Sequence, residues 1–279
     1  MQEAVLRNLI RQIGTDAGVS ALAVSAYDFE HRTAWCLDSD RWFHAASTIK
    51  VPVLLGVFDA IEQGRLEPFS RIHVRNRFLS IAEGHAPYRV QSSRDANAAV
   101  HAALGKMMTV RELAEHMIVT SSNLATNLLL DIVGVDHIRD TLDRLNLQGI
   151  DLRRGVEDEA AWAAGINNRI TADGLAGALR LIEERRAISG DASDQMLDIL
   201  HNQRFRSGIP AGLPEEARVA NKTGEMSTVA HDGGIVYLTD RKPYVVAILT
   251  EWDNGRDRRQ ATIARISRTI YEYMCEGTE

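Results

Sequence analysis

Lysine is nearly missing from this chain. Of its 32 basic residues all but four are arginine, the exceptions being Lys50, Lys106, Lys222 and Lys242. Cysteine is as scarce. Cys36 and Cys275 stand near opposite ends, so no disulfide framework holds the fold, and two buried thiols are expected in place of a bridge. No apolar stretch approaches the roughly 18 residues of a membrane span, so no membrane partner is expected. A net charge of −6, with no basic run beyond Arg256-Asp257-Arg258-Arg259, argues against nucleic-acid binding; that run is expected on the solvated face of the last helix. The histidines show no metal-ligand spacing and no motif suggests a nucleotide or flavin, so no metal and no cofactor are expected. Repeats and low-complexity tracts are absent too. What remains is ordinary globular composition, 45% hydrophobic and 25% charged over 279 residues.

Residues 1–16 read as an amphipathic helix whose charges interrupt the apolar positions, unlike a signal peptide. A cytoplasmic protein is expected, or a periplasmic or secreted one if an export segment has been removed.

The rarity of lysine makes its positions informative. A guanidinium cannot give up its proton in a protein, whereas a buried ammonium can, and so can serve as a general base. Lys50 ends Ser47-Thr48-Ile49-Lys50, and Lys222 opens Lys222-Thr223-Gly224. Val51, Val53, Leu54, Val57, Phe58 and Ile61 then follow helical spacing up to Gly64, with Pro52 tolerated in a first turn. A helix beginning near Ser47 puts residues i and i+3 on one face, with Cβ atoms about 5–6 Å apart. The Lys50 amine then reaches the Ser47 hydroxyl and takes its proton as attack begins.

Ser121-Ser122-Asn123 comes next, leading into the apolar run Leu124, Ala125, Leu128, Leu129, Ile132. Lys222-Thr223-Gly224 follows, closing one strand and preceding two more near Gly234–Thr239 and Tyr244–Thr250. In that order, Ser-x-x-Lys, Ser-x-Asn and Lys-Thr-Gly resemble the penicillin-recognising serine hydrolases, and the class A β-lactamases in particular. Phe43-His44-Ala45-Ala46 before Ser47, Thr109-Val110-Arg111-Glu112-Leu113, and the residues after Ser122 share the likeness, which runs from about residue 19 to the last helix.

The order of elements agrees. A first helix, strands at Val19–Tyr27 and Arg32–Leu37, a helical stretch from Ser47 to about Glu184, and a return to strands before a helix from about Gly255 to Tyr273 describe an α+β fold. Thr109 and Glu112 read as a capping box. An antiparallel sheet flanked by terminal helices (1–46 and 213–279) is expected to carry an inserted all-helical lobe (47–212). The family has this β-lactamase/transpeptidase-like architecture, with its site in the cleft between the lobes. Residues 76–105 form a polar excursion that either shapes the cleft's rim or is a plain surface insertion.

The resemblance implies roles. Ser47 is the nucleophile, Lys50 its base, and Ser121 the proton relay to the leaving group. Asn123 hydrogen-bonds a substrate amide; Lys222 and Thr223 hold a carboxylate or tune Ser121. Gly224 lies against the substrate, and the backbone N–H groups of Ser47 and Glu225 form the oxyanion hole. Where the family places a carboxylate-gripping arginine this chain has His231, which contacts substrate, acts as an alternative base, or is structural. Position 122 is Ser where class A enzymes usually have Asp. The usual Glu-Pro-x-Leu-Asn loop is replaced by Arg153-Arg154-Gly155-Val156-Glu157-Asp158-Glu159-Ala160. Glu157, Asp158 or Glu159 is then the deacylation base, or the run is a solvated turn. A monomer acting on a small molecule is expected: a β-lactamase-like serine hydrolase, with an esterase, amidase or peptidase as the alternative, and a domain that stays acylated as another.

Overall fold

The computed structural model describes residues 1–84, 87–96, 98–253 and 258–276. Its long strand Arg241–Trp252 shows how the molecule is layered. Val245, Ala247 and Leu249 face one apolar cluster, while Tyr244, Val246 and Ile248 face another. That is the period-2 signature of a strand buried on both faces. It lies at the centre of a five-stranded antiparallel sheet ordered Thr33–Leu37, Val19–Asp28, Arg241–Trp252, Val229–Leu238, Arg218–Glu225.

One face is covered by the terminal helices. Leu6, Ile10 and Ile13 of the helix Glu3–Ala17 meet Ile263, Ile266 and Ile270 of Arg259–Glu276 over Val24, Val236 and Trp252. Against the other face pack the helices Ala172–Glu183 and Gly190–His201, and beyond them the rest of the helical block. Sheet and helices share one continuous core there, from Ala220, Ile235 and Leu249 through Leu175 and Leu179 to Leu54 and Leu113.

The expected α+β architecture is therefore present, and the family's fold with it. Thr109 caps Val110–Val119 in a reciprocal box, accepting from Glu112 N at 3.1 Å while Thr109 N donates to the Glu112 carboxylate at 2.7 Å. Several expectations need correction. The helical block also holds short strand pairs, Arg71–His73 with Met107–Thr109, and Ile150–Asp151 with Arg169–Ile170 and Phe43–His44. The helix after Ser47 spans Lys50–Glu62 and is preceded by a 3-10 turn over Ala46–Ile49; it is buried on nearly every side, not on one stripe. Ile138 approaches Gly56 so closely that no Cβ fits there.

The last helix begins at Arg259. Arg256 and Asp257 of the basic run lie outside the described residues, and Arg259 is buried, donating to Met226 O at 2.7 Å and to Ser227 O. An arginine with carbonyls to satisfy goes inside despite its charged neighbours. The cysteines are unbridged, but they are not buried thiols: Cys36 is exposed on the sheet's edge strand and Cys275 is half-buried.

Candidate active site

The 3-10 turn places Ser47 at the mouth of the buried helix and turns Lys50 inward behind it. The four lysines divide cleanly. Lys106 and Lys242 are exposed, whereas Lys50 and Lys222 have no exposure at all. Both buried amines converge on the hydroxyl of Ser121. Lys50 Nζ donates to Ser47 Oγ at 3.0 Å, Ser121 Oγ at 3.1 Å, Ser121 O at 2.7 Å and Asn123 Oδ1 at 2.8 Å. Lys222 Nζ reaches Ser121 Oγ at 3.0 Å and Thr223 O at 2.7 Å. The three motifs, separate in sequence, form one hydrogen-bonded chain from Ser47 through Lys50 and Ser121 to Lys222.

Burial dominates the electrostatics. Loss of hydration drives the Lys50 amine down to about 7, against opposing pulls from Asp95 and Glu157. Lys222 is pushed well below its ordinary range, first by burial and then by the nearby Lys50 charge. An amine near 7 exists partly as free base at neutral pH, the state that a proton acceptor needs.

The backbone is strained in the same place. Among described residues, non-glycine left-handed conformations include Ala46 (φ 46°), Ser121 (φ 56°) and Glu157 (φ 60°), all beside this site. His44 holds the first of these, its Nδ1 accepting from Ala46 N at 3.0 Å. Burial pushes the His44 imidazole down to about 4, so it stays the neutral acceptor that this contact requires. Opposite Ser47, the sheet's edge strand Arg218–Glu225 comes so near that a Cβ on Gly224 would lie 3.0 Å from Thr48 N and 3.1 Å from Ser47 N. A side chain at 224 would press on the nucleophile's backbone, so glycine favours this close approach.

An open cleft of about 930 Å³ lies over these groups, lined among others by His44, Ser47, Asn123, Glu157, Trp162 and Glu225. All three acidic candidates border it, each with different partners. Glu157 lines the cleft and accepts from Asn123 Nδ2 at 2.8 Å. Asp158 is buried, capping the short helix Glu159–Ala163 through Ala161 N at 3.1 Å and accepting from Ser80 Oγ and Ile81 N. Glu159 is ion-paired to Arg94 at 2.6 Å on the exposed rim. All three are gripped by the 76–105 excursion, since Gln91 N donates to the other oxygen of Glu157 at 3.0 Å. The run is not a solvated turn, and the excursion is no plain surface insertion.

Of the three readings of His231, its surroundings favour the structural one. It stands within the strand Val229–Leu238, not at its start, and is fully buried. Its Nε2 donates to His44 O at 2.9 Å and its Nδ1 accepts from Thr250 N at 3.2 Å, so both nitrogens serve the backbone. Burial holds it down to about 4. With both nitrogens engaged by the backbone, this geometry favours the structural reading of His231. Glu225 is exposed at the far rim, accepting from Gln260 Nε2 at 3.0 Å. Sequence reasoning missed Asp95 altogether: it lies inside the polar excursion, and no local pattern marks it as the carboxylate that meets the start of the helix Asn123–Val133.

A model described as the beta-lactamase enzyme family matches residues 4–274. A beta-lactamase of Bacteroides uniformis is 28% identical over 181 residues, a match that spans 60% of this chain and 60% of that relative. Among solved structures, the beta-lactamase of Sphaerobacter thermophilus superposes with a TM-score of 0.82 at 24% identity, covering 99% of both chains. PBP-A does so with a TM-score of 0.81 at 23% identity, covering 96% of both. At such identities these structures speak for the fold.

Proposed function

This chain belongs to the beta-lactamase enzyme family, and from that premise we propose that it is a serine hydrolase opening β-lactam amides through an acyl-enzyme on Ser47. One observation carries the reading: a fully buried amine, Lys50 Nζ, lies 3.0 Å from Ser47 Oγ and 3.1 Å from Ser121 Oγ.

In acylation the neutral Lys50 amine takes the Ser47 proton as Oγ attacks the carbonyl carbon. Negative charge grows on the carbonyl oxygen, where the N–H groups of Ser47 and Glu225 receive it. Ser121 hands its proton to the departing nitrogen and is reprotonated from the amines that converge on it, Lys50 or Lys222. Asn123 orients the substrate amide through Nδ2 while its oxygen stays on Lys50. Lys222 lies beside the same hydroxyl and, with Thr223, favours a substrate carboxylate.

Deacylation needs a water and a base. Of the three acids Glu157 takes this role, since Asp158 is spent on a helix cap and Glu159 on Arg94. A second reading has its own observation. Both Glu157 oxygens are occupied, by Asn123 Nδ2 and by Gln91 N, which favours a slow second step and a persistent adduct. The acting unit is one chain working on a small molecule. Among the described residues no helix is long and apolar enough to cross a membrane.

Labelling with a fluorescent penicillin tests the first step. Wild-type protein should carry one adduct, on Ser47, and Ser47→Ala should carry none; equal labelling of both removes the proposal.

A further inference from the structure

The excursion over residues 76–105 brings one carboxylate to the site that the scheme above leaves unused. Asp95 has no side-chain exposure. Its Oδ1 accepts from Asn123 N at 3.1 Å, and its Oδ2 from Leu124 N at 2.9 Å and Ser122 Oγ at 3.0 Å. His101 Nε2 stands 3.2 Å from Oδ2. A helix start leaves N–H groups without partners and welcomes negative charge. Here the Ser122 hydroxyl satisfies Ala125 N, at 3.2 Å, and the two preceding N–H groups are met from another part of the chain. That same helix start carries the Ser121 and Asn123 oxygens that hold the Lys50 amine.

We propose that Asp95 is a positioning residue for acylation: it locks the Ser121–Asn123 turn around the Lys50 amine and places a buried negative charge behind it. The inference rests on the acyl-enzyme reading above and adds a part to it. Asp95 faces His101, His116 and Lys50. Lys50 faces the carboxylates of Asp95 and Glu157 and, across Ser121, the second buried amine, Lys222. Without the Asp95 charge, Lys50 gives up its proton more readily, so the acidic limb of acylation moves to lower pH. Loss of the lock at the same time lowers the plateau.

Asp95→Asn, close in shape but uncharged, is the test. The expected result has two parts: a plateau kcat/KM for a chromogenic β-lactam reduced roughly tenfold, the size of one lost charged cap, and an acidic limb displaced downward. Ser122→Asp added to Asp95→Asn puts a carboxylate back within reach of the same N–H groups and should return the limb toward wild type. A residue that served stability alone would lower the melting temperature and leave the limb in place. The Lys50 titration is also read without substrate, by carbon NMR of ε-labelled lysine, where only four residues contribute. If Lys50 titrates identically in wild type and Asp95→Asn, the proposal is overturned. If no β-lactam acylates the wild-type protein, the acyl-enzyme reading fails while the NMR titration still decides this one. Should Asp95→Asn not fold, Asp95→Glu replaces it: the charge stays but its oxygens move, so the plateau should fall with the limb unmoved, and an unchanged plateau refutes the role.

Discussion

Lys50 Nζ and Lys222 Nζ both donate to Ser121 Oγ, at 3.1 and 3.0 Å, although neither side chain reaches solvent. Two ammonium groups cannot share a dry hydroxyl without strong mutual repulsion, so the pair holds less than its full charge. The site stores its proton acceptors as buried amines, and that arrangement governs its pH behaviour.

Acylation should therefore rise with pH through about 7, as Lys50 becomes neutral. Lys50→Arg should be nearly as damaging as Lys50→Ala, since base catalysis is worth roughly 10²–10⁴-fold and guanidinium supplies none. Single-turnover acylation across pH checks both. An arginine variant retaining most of the rate would make Lys50 a fixed charge.

The same burial has a stability signature. Lys50 titrates near 7 when folded and near 10.5 when unfolded, so between those values only the unfolded chain takes up the proton. The Lys50 contribution should fall as pH drops through that window, by about 1.4 kcal/mol per unit, with Lys222 acting in the same direction. Lys50→Met should abolish acylation and reduce this dependence to the share of Lys222, gaining stability relative to wild type as pH falls toward 7. Urea unfolding at several pH values measures it.

The three neighbouring acids should separate in kinetics and stability. Glu157→Ala should lengthen the acyl-enzyme lifetime with acylation little changed. Asp158→Ala should cost about 1–2 kcal/mol of stability through the lost cap, and Glu159→Ala, an exposed pair, less than about 1 kcal/mol. Pre-steady-state bursts with a chromogenic substrate resolve the two chemical steps. A lifetime insensitive to Glu157 would move the deacylation role away from this loop.

His231 should matter to folding and not to catalysis. Folded, it titrates near 4, below its ordinary 6.5, so its contribution is intact above 6.5 and is lost as pH falls toward 4. His44 acts in the same direction, whereas Asp232, raised by burial to about 6, acts against them. His231→Gln should reduce acid sensitivity in thermal melts and leave the pH profile of acylation between 5 and 9 unmoved. A displaced profile would return His231 to the reaction.

Gly224→Ala tests the close approach of strand and nucleophile. A methyl group 3.0 Å from Thr48 N forces the edge strand outward. Acylation should drop at least tenfold, the response to small misplacement of reacting groups, while the melting temperature changes little because the edge strand can shift. Normal acylation with lowered stability would place the strain elsewhere.

The sequence by itself determined what depends on short spacing. Ser47 and Lys50 lie three residues apart on one helical start, Thr109 and Glu112 close a capping box, and alternation marks the strands, because local geometry follows from local order. The motif order also carried the family and its fold. Tertiary structure decided the rest. Nothing near Glu157, Asp158 and Glu159 says which partner each one meets; that follows from Ser80, Gln91 and Arg94, more than sixty positions away in sequence. His231 is quiet because Thr250 N and His44 O close around it, and Asp95 matters because its segment folds under a helix whose own cap leaves two N–H groups unmet. Even the acidity of the two lysines belongs to the fold, since dehydration that lowers an amine toward 7 is a property of the surroundings, not of the tetrapeptide.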